Sequence, residues 1–523
     1  MYFDPDREIG RPALVGTPGL EQFCKPVANR EVRGMYVRGS TLYAVCGNTV
    51  YSIDTSGNAT SLGTIGTSTG KVWFAYDDVG TAELMIVDGS AAYRYTGGSL
   101  SSQGVNCTPS SLAYLNLYFF VSASGSDSMY ASGAGDGSTW GALITAQAEG
   151  DSDPIMALMS VNKDMWVLGS KSTEIWRWIG GSTFPVQPIG GGYQHVGCAA
   201  AGSACELDNS AFWLNDRFEV VRTMGTQVQV VSTQQLSAKF SDYATNYGVS
   251  DARGYAMYWR GHAWYVLTFP SANATWVYDA SLVAPQTGLE AWFQWSSGLA
   301  GGRHRGVCGA LFNGDWLVGD YENGRIYRLD KDKYTDDGEF IKSVRTAQAV
   351  RSDRKKIFHY SLEIEMGEGV GTVSANGLST LSASASTGAA SIAVTSATDI
   401  KQNYHIGVTL TSGTVQWFEC AQKVGSTVYL SDTLDGAAAS GNQVEWYNNL
   451  GEDPQAMLRW SDDRGKTWSN EKWAGVGKAG EYQNRIIYRK LGSAIDRTYE
   501  WSMTDPVKRV IYGANLNAKV GTG

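Results

Sequence analysis

Gly39–Ile65 reads GSTLYAVCGNTVYSIDTSGNATSLGTI, and its grammar decides the fold. Apolar and polar residues alternate through Leu42–Val45 and again through Val50–Ile53, with breaks at Gly47-Asn48 and Ser56-Gly57-Asn58. Alternation with period two marks strands, and glycine–asparagine pairs mark the tight turns of antiparallel hairpins. The grammar returns as Glu83–Val87 with Ala92–Tyr95, Leu117–Ser122 with Ser128–Ala131, and Met165–Gly169 with Glu174–Trp178. It returns again as Ala211–Leu214 with Glu219–Arg222, His262–Thr268 with Ala274–Tyr278, and Asp315–Gly319 with Gly324–Leu329. Units about 30–50 residues apart have the spacing of propeller blades. The sequence therefore predicts an all-β chain whose larger part is a β-propeller of six or seven blades.

Composition agrees. The chain has 523 residues, 12% aromatics, 62 glycines and only 12 prolines. That is far more than one domain of roughly 100–200 residues. Aromatic, glycine-punctuated sequence favours short strands and tight turns. Runs of Ala, Leu, Glu and Lys long enough for extended helices are missing. Net charge is −9, which argues against a general nucleic-acid binder, since phosphate binding needs clustered positive charge. The seven cysteines (24, 46, 107, 198, 205, 308 and 420) include no CxxC pair and read as reduced, buried apolar residues. The first residues, MYFDPDREIG, have no apolar core of a signal peptide, and no uncharged apolar run approaches the ~20 residues of a membrane helix. A soluble protein made in a cytoplasm is expected, and the Asn-x-Thr triplets at Asn58, Asn106 and Asn273 are then chance matches.

Beyond Leu329 a charged connector, 330–354, leads into the short basic run of Arg351, Arg354, Lys355 and Lys356. It reads first as a solvated link and second as a phosphate contact. From Thr372 to Asn449 charges thin out and Ser, Ala, Thr and Gly dominate, yet AASIAVTSATDI, TVYL and QVEW still alternate. This predicts a small β domain inserted into a host β module. The alternating strands Tyr360–Met366 and Ala456–Trp460 flank the insert and are expected to share one host sheet. Three more strands are predicted in GEYQNRIIYRKLG, DRTYEWSMTD and VKRVIYGANLN.

One local motif is sharp. Ser461-Asp462-Asp463-Arg464-Gly465-Lys466-Thr467-Trp468 fits the Asp-box pattern S-x-D-x-G-x-T-W. Ser461 and Asp463 would bond the turn backbone, Gly465 would supply a positive φ, Thr467 completes the turn, and Trp468 would pack underneath. This is a hairpin lock, not a catalytic set. The histidines (195, 262, 304, 359 and 405) show no zinc spacing. No nucleophile elbow or Walker loop is found. Gly190-Gly191-Gly192 lacks a phosphate cradle's strand–helix context and is expected to be a loop. Asp77 and Asp78 are adjacent, so in a strand they face opposite ways and cannot work as a pair. Trp166, Trp176, Trp213, Trp264 and Trp316 sit in strand-like alternation, where sheet packing is expected. No catalytic residue, metal ligand or cofactor is predicted.

The order of several segments resembles the phage packaged-DNA stabilisation family. These are VGTPGLEQF, GSTLYAVCGNTVYSID, LGSKSTEIW, FPVQPIGGG, CAAAGS, FWLNDRFEVVRTMG and VQVVST. In the C-terminal part they are EDPQAMLRWSDDRGKTWSNE, GKAGEYQNRIIYRKLG and TDPVKRVIYGANL. The resemblance spans nearly the whole chain apart from 372–449. It implies a tail nozzle, or hub, of a short-tailed bacteriophage: a ring, six copies by resemblance, that extends the DNA channel below portal and adaptor. Such a ring retains the packaged genome and lets it pass at ejection. Implied partners are further copies of itself, portal and adaptor proteins, tail fibre, tailspike or needle proteins, and passing double-stranded DNA bound without sequence specificity. The virion tail is the implied location. The chain starts abruptly before the first matching segment, so a missing or shorter docking arm is expected, and the insert is extra. Expected boundaries are an N-terminal segment at 1–32, the propeller at 33–330, a C-terminal β module at 331–371 and 450–523, and the insert at 372–449. Two other classes stand beside this: a receptor- or glycan-binding tail protein using the aromatics and the insert, and a sialidase-like hydrolase. The hydrolase would need an arginine cluster with a tyrosine and an acid, and usually several Asp boxes, where only one is found.

Overall fold

The second strand of each blade explains the propeller. Glu83–Val87 (ELMIV) and Ser210–Leu214 (SAFWL) are buried along their whole length, as is His262–Phe269. These are apolar runs rather than alternations because both strand faces are covered. Leu42, Ala44 and Cys46 point into one core while Val45, between them, points into the next. Leu84 and Ile86 share that second core with Val45, whereas Met85 and Val87 pack forward against Phe119 and Val121. Trp166 and Leu168 meet Ala211 and Trp213, and Phe212 and Leu214 face onward to Tyr265 and Leu267. Each core thus lies between two face-packed sheets.

The computed structural model describes all residues except 9–10, 28, 80–81, 182–183, 283–290, 368, 373–374, 449–450 and 522–523. Strand makes up 53% and helix 3%. Two units form, one from Leu20–Ser297 and Gly301–Asp330, the other from Met1–Gly19, Gly298–Ala300 and Lys331–Gly523.

The first unit has seven blades. Six are four-stranded antiparallel sheets in chain order, opening with Val32–Arg38, Trp73–Asp77, Pro109–Leu115, Ile155–Val161, Cys205–Leu207 and Arg253–Trp259. The seventh takes Gly306–Phe312, Asp315–Asp320 and Ile326–Asp330, and Gly19–Cys24 is added outside them. Gly306–Phe312 also lies against Val32–Arg38, which closes the ring. Turn carboxylates and amides fix the hairpins. Asp88 Oδ1 accepts from the amides of Ser90 (3.0 Å) and Ala91 (2.8 Å). Asn215 Oδ1 accepts from Arg217 (2.9 Å) and Glu219 (2.8 Å), and Asp320 Oδ1 from Glu322 (2.6 Å) and Asn323 (3.0 Å).

One helix, Gln234–Asn246, departs from the strand grammar between the fifth and sixth blades. Thr233 caps it by accepting the Leu236 amide at 3.3 Å, and its Phe240 is fully buried against Phe269, ring centroids 5.0 Å apart. Leu236, Phe240, Tyr243 and Ala244 fall at helical spacing and pack into one core, but this stripe is short and set among Gln, Ser, Lys and Asp, so a reading tuned to strand alternation did not mark it.

The second unit holds a β-sandwich. One sheet orders Tyr2–Glu8, Arg11–Val15, Val510–Val520, Ile357–Met366 and Ile486–Ala494. The other orders Ser343–Thr346, Asp496–Met503, Gln455–Ser461 and Lys472–Gly475, with Val350–Arg351 also on Asp496–Met503. Ile364, Leu458, Tyr488 and Trp501 meet in the core between them. Two expectations need correction. The strands flanking the insert lie in opposite sheets, not one: both turn an apolar face to the same core, and alternation cannot say from which side. The first residues are not a segment apart either, since Tyr2–Glu8 and Arg11–Val15 complete the sandwich and Gly19–Cys24 completes a blade.

The insert is a small closed barrel. Six strands run in the order Ala375–Thr380, Gln443–Asn448, His405–Thr409, Val415–Val424, Thr427–Leu430 and Ser391–Ala393. The two outer strands join through a Leu381–Val394 bridge and the bonds Ser382 N to Ala393 O (2.9 Å) and Thr395 N to Thr380 O (2.8 Å). Closure removes both sheet edges. Its core, which includes Leu381, Ile400, Ile406, Phe418, Val428 and Trp446, is built from insert residues alone.

Candidate functional site

The Asp box forms the turn after Gln455–Ser461. The Ser461 hydroxyl donates to Asp463 Oδ1 at 2.7 Å and accepts the Gly465 amide at 2.7 Å. Asp463 accepts the Thr467 amide on Oδ1 at 2.8 Å and the Thr467 hydroxyl on Oδ2 at 2.6 Å. Bonds from Thr467, then Ser461, hold the Asp463 carboxyl well below the usual range. Gly465 has φ +90°, and Arg464 before it is also left-handed at +63°, which the pattern did not anticipate. Trp468 is half-buried with the Arg459 guanidinium 4.7 Å from its ring. Asp462 turns the other way and pairs through both oxygens with buried Arg497, at 2.6 and 2.7 Å. Ser461, Asp463, Gly465, Thr467 and Trp468 thus come together in one turn, and both Asp463 oxygens are used by the turn's own donors.

The remaining candidates disperse. Arg351, Arg354, Lys355 and Lys356 are all exposed around the turn into Ile357–Met366. Gly190–Gly192 is not a loop: it lies in Val186–Gln194, the outer strand of the fourth blade, where the register shifts. Asp77 is buried and accepts from the Tyr114 hydroxyl at 2.7 Å, while Asp78 is exposed and pairs with Arg38. His262 Nδ1 lies 2.6 Å from Asp279 Oδ2, and His304 is buried 3.9 Å from the Trp295 ring, with burial pulling it down to about 3. No group of three His, Cys, Asp or Glu among the described residues could hold a metal. Trp166, Trp176, Trp213 and Trp264 are buried in the sheets, and Trp316 is partly so.

What the sequence reading passed over is the propeller axis. An Arg-Gly pair opens the innermost strand of three blades: Arg33-Gly34, Arg253-Gly254 and Arg305-Gly306. The glycines are sterically required, since a Cβ at Gly254 would lie 2.2 Å from Ser203 O and one at Gly34 2.9 Å from Val72 O. Arg33 is fully buried and donates to the carbonyls of Gly47 (2.9 Å), Thr67 (2.8 Å), Thr69 (2.6 Å) and Gly70 (2.7 Å). Arg253 pairs with Glu31 at 2.6 Å, and Arg305 with Asp320 at 2.6 Å. Lys71, just before the second blade, donates across the axis to the carbonyls of Gly202 (2.9 Å) and Ala204 (3.4 Å) beside the fifth. Its amine lies 4.3 Å from the Trp73 ring, and burial pulls it down to about 8. The cavity left among these residues is about 290 Å³. Burial pushes the lining Cys205 and Cys308 thiols up to about 12, so neither is a nucleophile near neutrality. Drug-sized ligands take pockets of roughly 300–1,000 Å³, so this cavity has room for a small molecule at most.

Two family profiles match this chain: bacteriophage P22 Gp10, β-propeller, over residues 6–334, and bacteriophage P22 Gp10, β-sandwich, over 422–519. The chain belongs to the bacteriophage P22 Gp10 family. As a P22 Gp10-family protein it is a structural component of a phage tail, and hence of the virion. The stretch between the two P22 Gp10 matches is 335–421, so the family match resumes inside the barrel and not, as expected, after Asn449. No curated protein matches the sequence. Among solved structures, a streptogramin B lyase is similar at 12% identity, covering 60% of this chain and 98% of that one, with a TM-score of 0.41. An inactive virginiamycin B lyase from Staphylococcus aureus with quinupristin is similar at 10% identity, 60% and 98% coverage and TM-score 0.40. The Neurospora crassa Pan2 WD40 domain is similar at 10% identity, 60% and 97% coverage and TM-score 0.39. Such likenesses bear on neither activity nor ligand.

Proposed function

We propose that copies of this chain assemble into a ring, six by family resemblance, that continues the DNA channel of a short phage tail and keeps the packaged genome inside until ejection. The observation that carries the reading is the plugged propeller axis in a phage-tail protein. With Lys71 tied across it to Gly202 and with Arg33, Arg253 and Tyr255 lining the space that is left, DNA has no path through one copy, and a channel wide enough for a duplex must lie between copies. Closing such a channel needs a head-to-tail contact that repeats by rotation. The outer blade strands are poor partners for it. Ala59–Thr64, Ser99–Gln103 and Thr145–Gln147 are short, exposed and rich in Ser, Thr and Gln. Contacts between copies therefore fall to loops and the C-terminal unit.

The net charge of −9 suits a conduit that does not grip DNA, since basic walls would hold phosphates and slow ejection. Portal, adaptor and tail fibre, tailspike or needle proteins are the proposed neighbours, with synthesis in the host cytoplasm and no enzymatic step. Electron microscopy of the purified chain is the direct test. Rings with an open lumen are expected; monomers at all concentrations, or cleavage of a sialoside, would overturn the reading.

A further inference from the structure

The barrel turns an unusual face to solvent. Its inner positions Ile406, Val408, Phe418, Val444 and Trp446 fill the core, so the residues between them on adjacent strands point outward. Two cross-strand rows result. Asn376, Tyr447, His405 and Glu419 stand side by side, and next to them Leu378, Glu445, Gly407 and Trp417. Trp417 is 47% exposed and Tyr447 41%. The His405 and Tyr447 rings stack at 4.8 Å, and Trp417 meets Tyr447 edge-on at 5.3 Å, which makes an aromatic corner. A Cβ on Gly407 would lie 2.9 Å from the Trp417 ring, so this glycine lets the indole lie on the barrel wall with its other side open. A tryptophan covering a strand glycine stabilises the sheet, but that role needs neither the second and third rings nor the flanking carboxylates.

Chemistry selects the occupant. The face carries two carboxylates, Glu419 and Glu445, and no Lys or Arg in either row. Nucleic acid and acidic polymers are repelled. Open ring faces favour the apolar C–H side of a pyranose, and carboxylates with a neighbouring amide accept from its hydroxyls or acetamido N–H. We propose that this face of the inserted barrel is a binding platform for a neutral or N-acetylated hexose oligomer. The platform stands independently of ring formation.

The test uses the full chain titrated with chitohexaose and laminarihexaose, followed by tryptophan fluorescence and calorimetry, with polysialic acid for comparison. Binding of at least one neutral oligomer is expected. Trp417→Ala and Tyr447→Ala should each weaken it about tenfold, or about 1.4 kcal/mol. Trp473→Ala, at a more open tryptophan of the sandwich (63% exposed), should leave it unchanged. Glu445→Gln, which keeps shape, separates lost contacts from lost folding. The proposal is overturned if neither oligomer binds, if Trp417→Ala binds as well as the parent, or if polysialic acid binds more tightly. It is also overturned if Trp417→Ala alters the oligomeric state while sugar binding is unmoved, which would make the face a contact between copies.

Discussion

Asp463 shows how much one side chain can be tied to its turn. Its folded value lies below that of an unfolded aspartate, because Thr467 and Ser461 donate to the ionised form. Its contribution is therefore complete above the ordinary aspartate range, at about pH 4, and fades as pH falls through the folded value. Asp463→Ala should lower the melting temperature at about pH 7, with a gap to the parent that narrows in stronger acid. An unchanged melting temperature at neutral pH would show that the turn does not need its lock. Arg33 is the second residue-scale case. Arg33→Met removes the donor from four carbonyls, each bonded at 2.6–2.9 Å. A loss of about 1–3 kcal/mol is expected in denaturant titration, as the buried Gly47 carbonyl goes unmet while water can reach the other three acceptors. The Asp box was legible because its residues are adjacent in sequence. The axial residues were not, since Lys71 meets Gly202, and Glu31 meets Arg253, only after the ring closes. The one available signal was the recurrence of Arg-Gly at the start of innermost strands.

At the scale of elements, hairpins were legible and sheet membership was not. ELMIV and SAFWL declare themselves as strands, but burial on both faces erases the alternation that would say which side meets which neighbour. The same limit placed Tyr360–Met366 and Ala456–Trp460 in one expected sheet when their strands face each other across a core. The helix Gln234–Asn246 was hidden for another reason: its apolar face, Leu236, Phe240, Tyr243 and Ala244, is only about two turns long and interrupts an otherwise strand-patterned sequence. The insert was visible as a change of composition, and its ends explain why it can be separate. Thr372 N bonds Gly451 O at 2.8 Å, so the chain leaves and re-enters the sandwich at neighbouring points. Replacing 372–449 by a short Gly-Ser bridge should leave a soluble chain with its propeller transition intact, because closing so short a gap costs little entropy. Complete loss of soluble protein would show that the barrel is part of the sandwich's folding unit.

For the whole molecule the sequence carried the family and left the lumen unspecified. Nothing in alternation or turn chemistry says whether DNA would pass through a propeller or between propellers, and the proposal of a path between copies rests on the Lys71 side chain that spans the axis. Assembly into rings is accordingly expected to depend on concentration. The most direct measurement is genome retention in phage that lacks this protein. Lysates of the deletion phage, treated with nuclease, should contain heads that have packaged DNA and then lost it, so little full-length genome is protected. Particles that keep a protected full-length genome and fail only at adsorption would contradict the account and leave a receptor-binding role in its place.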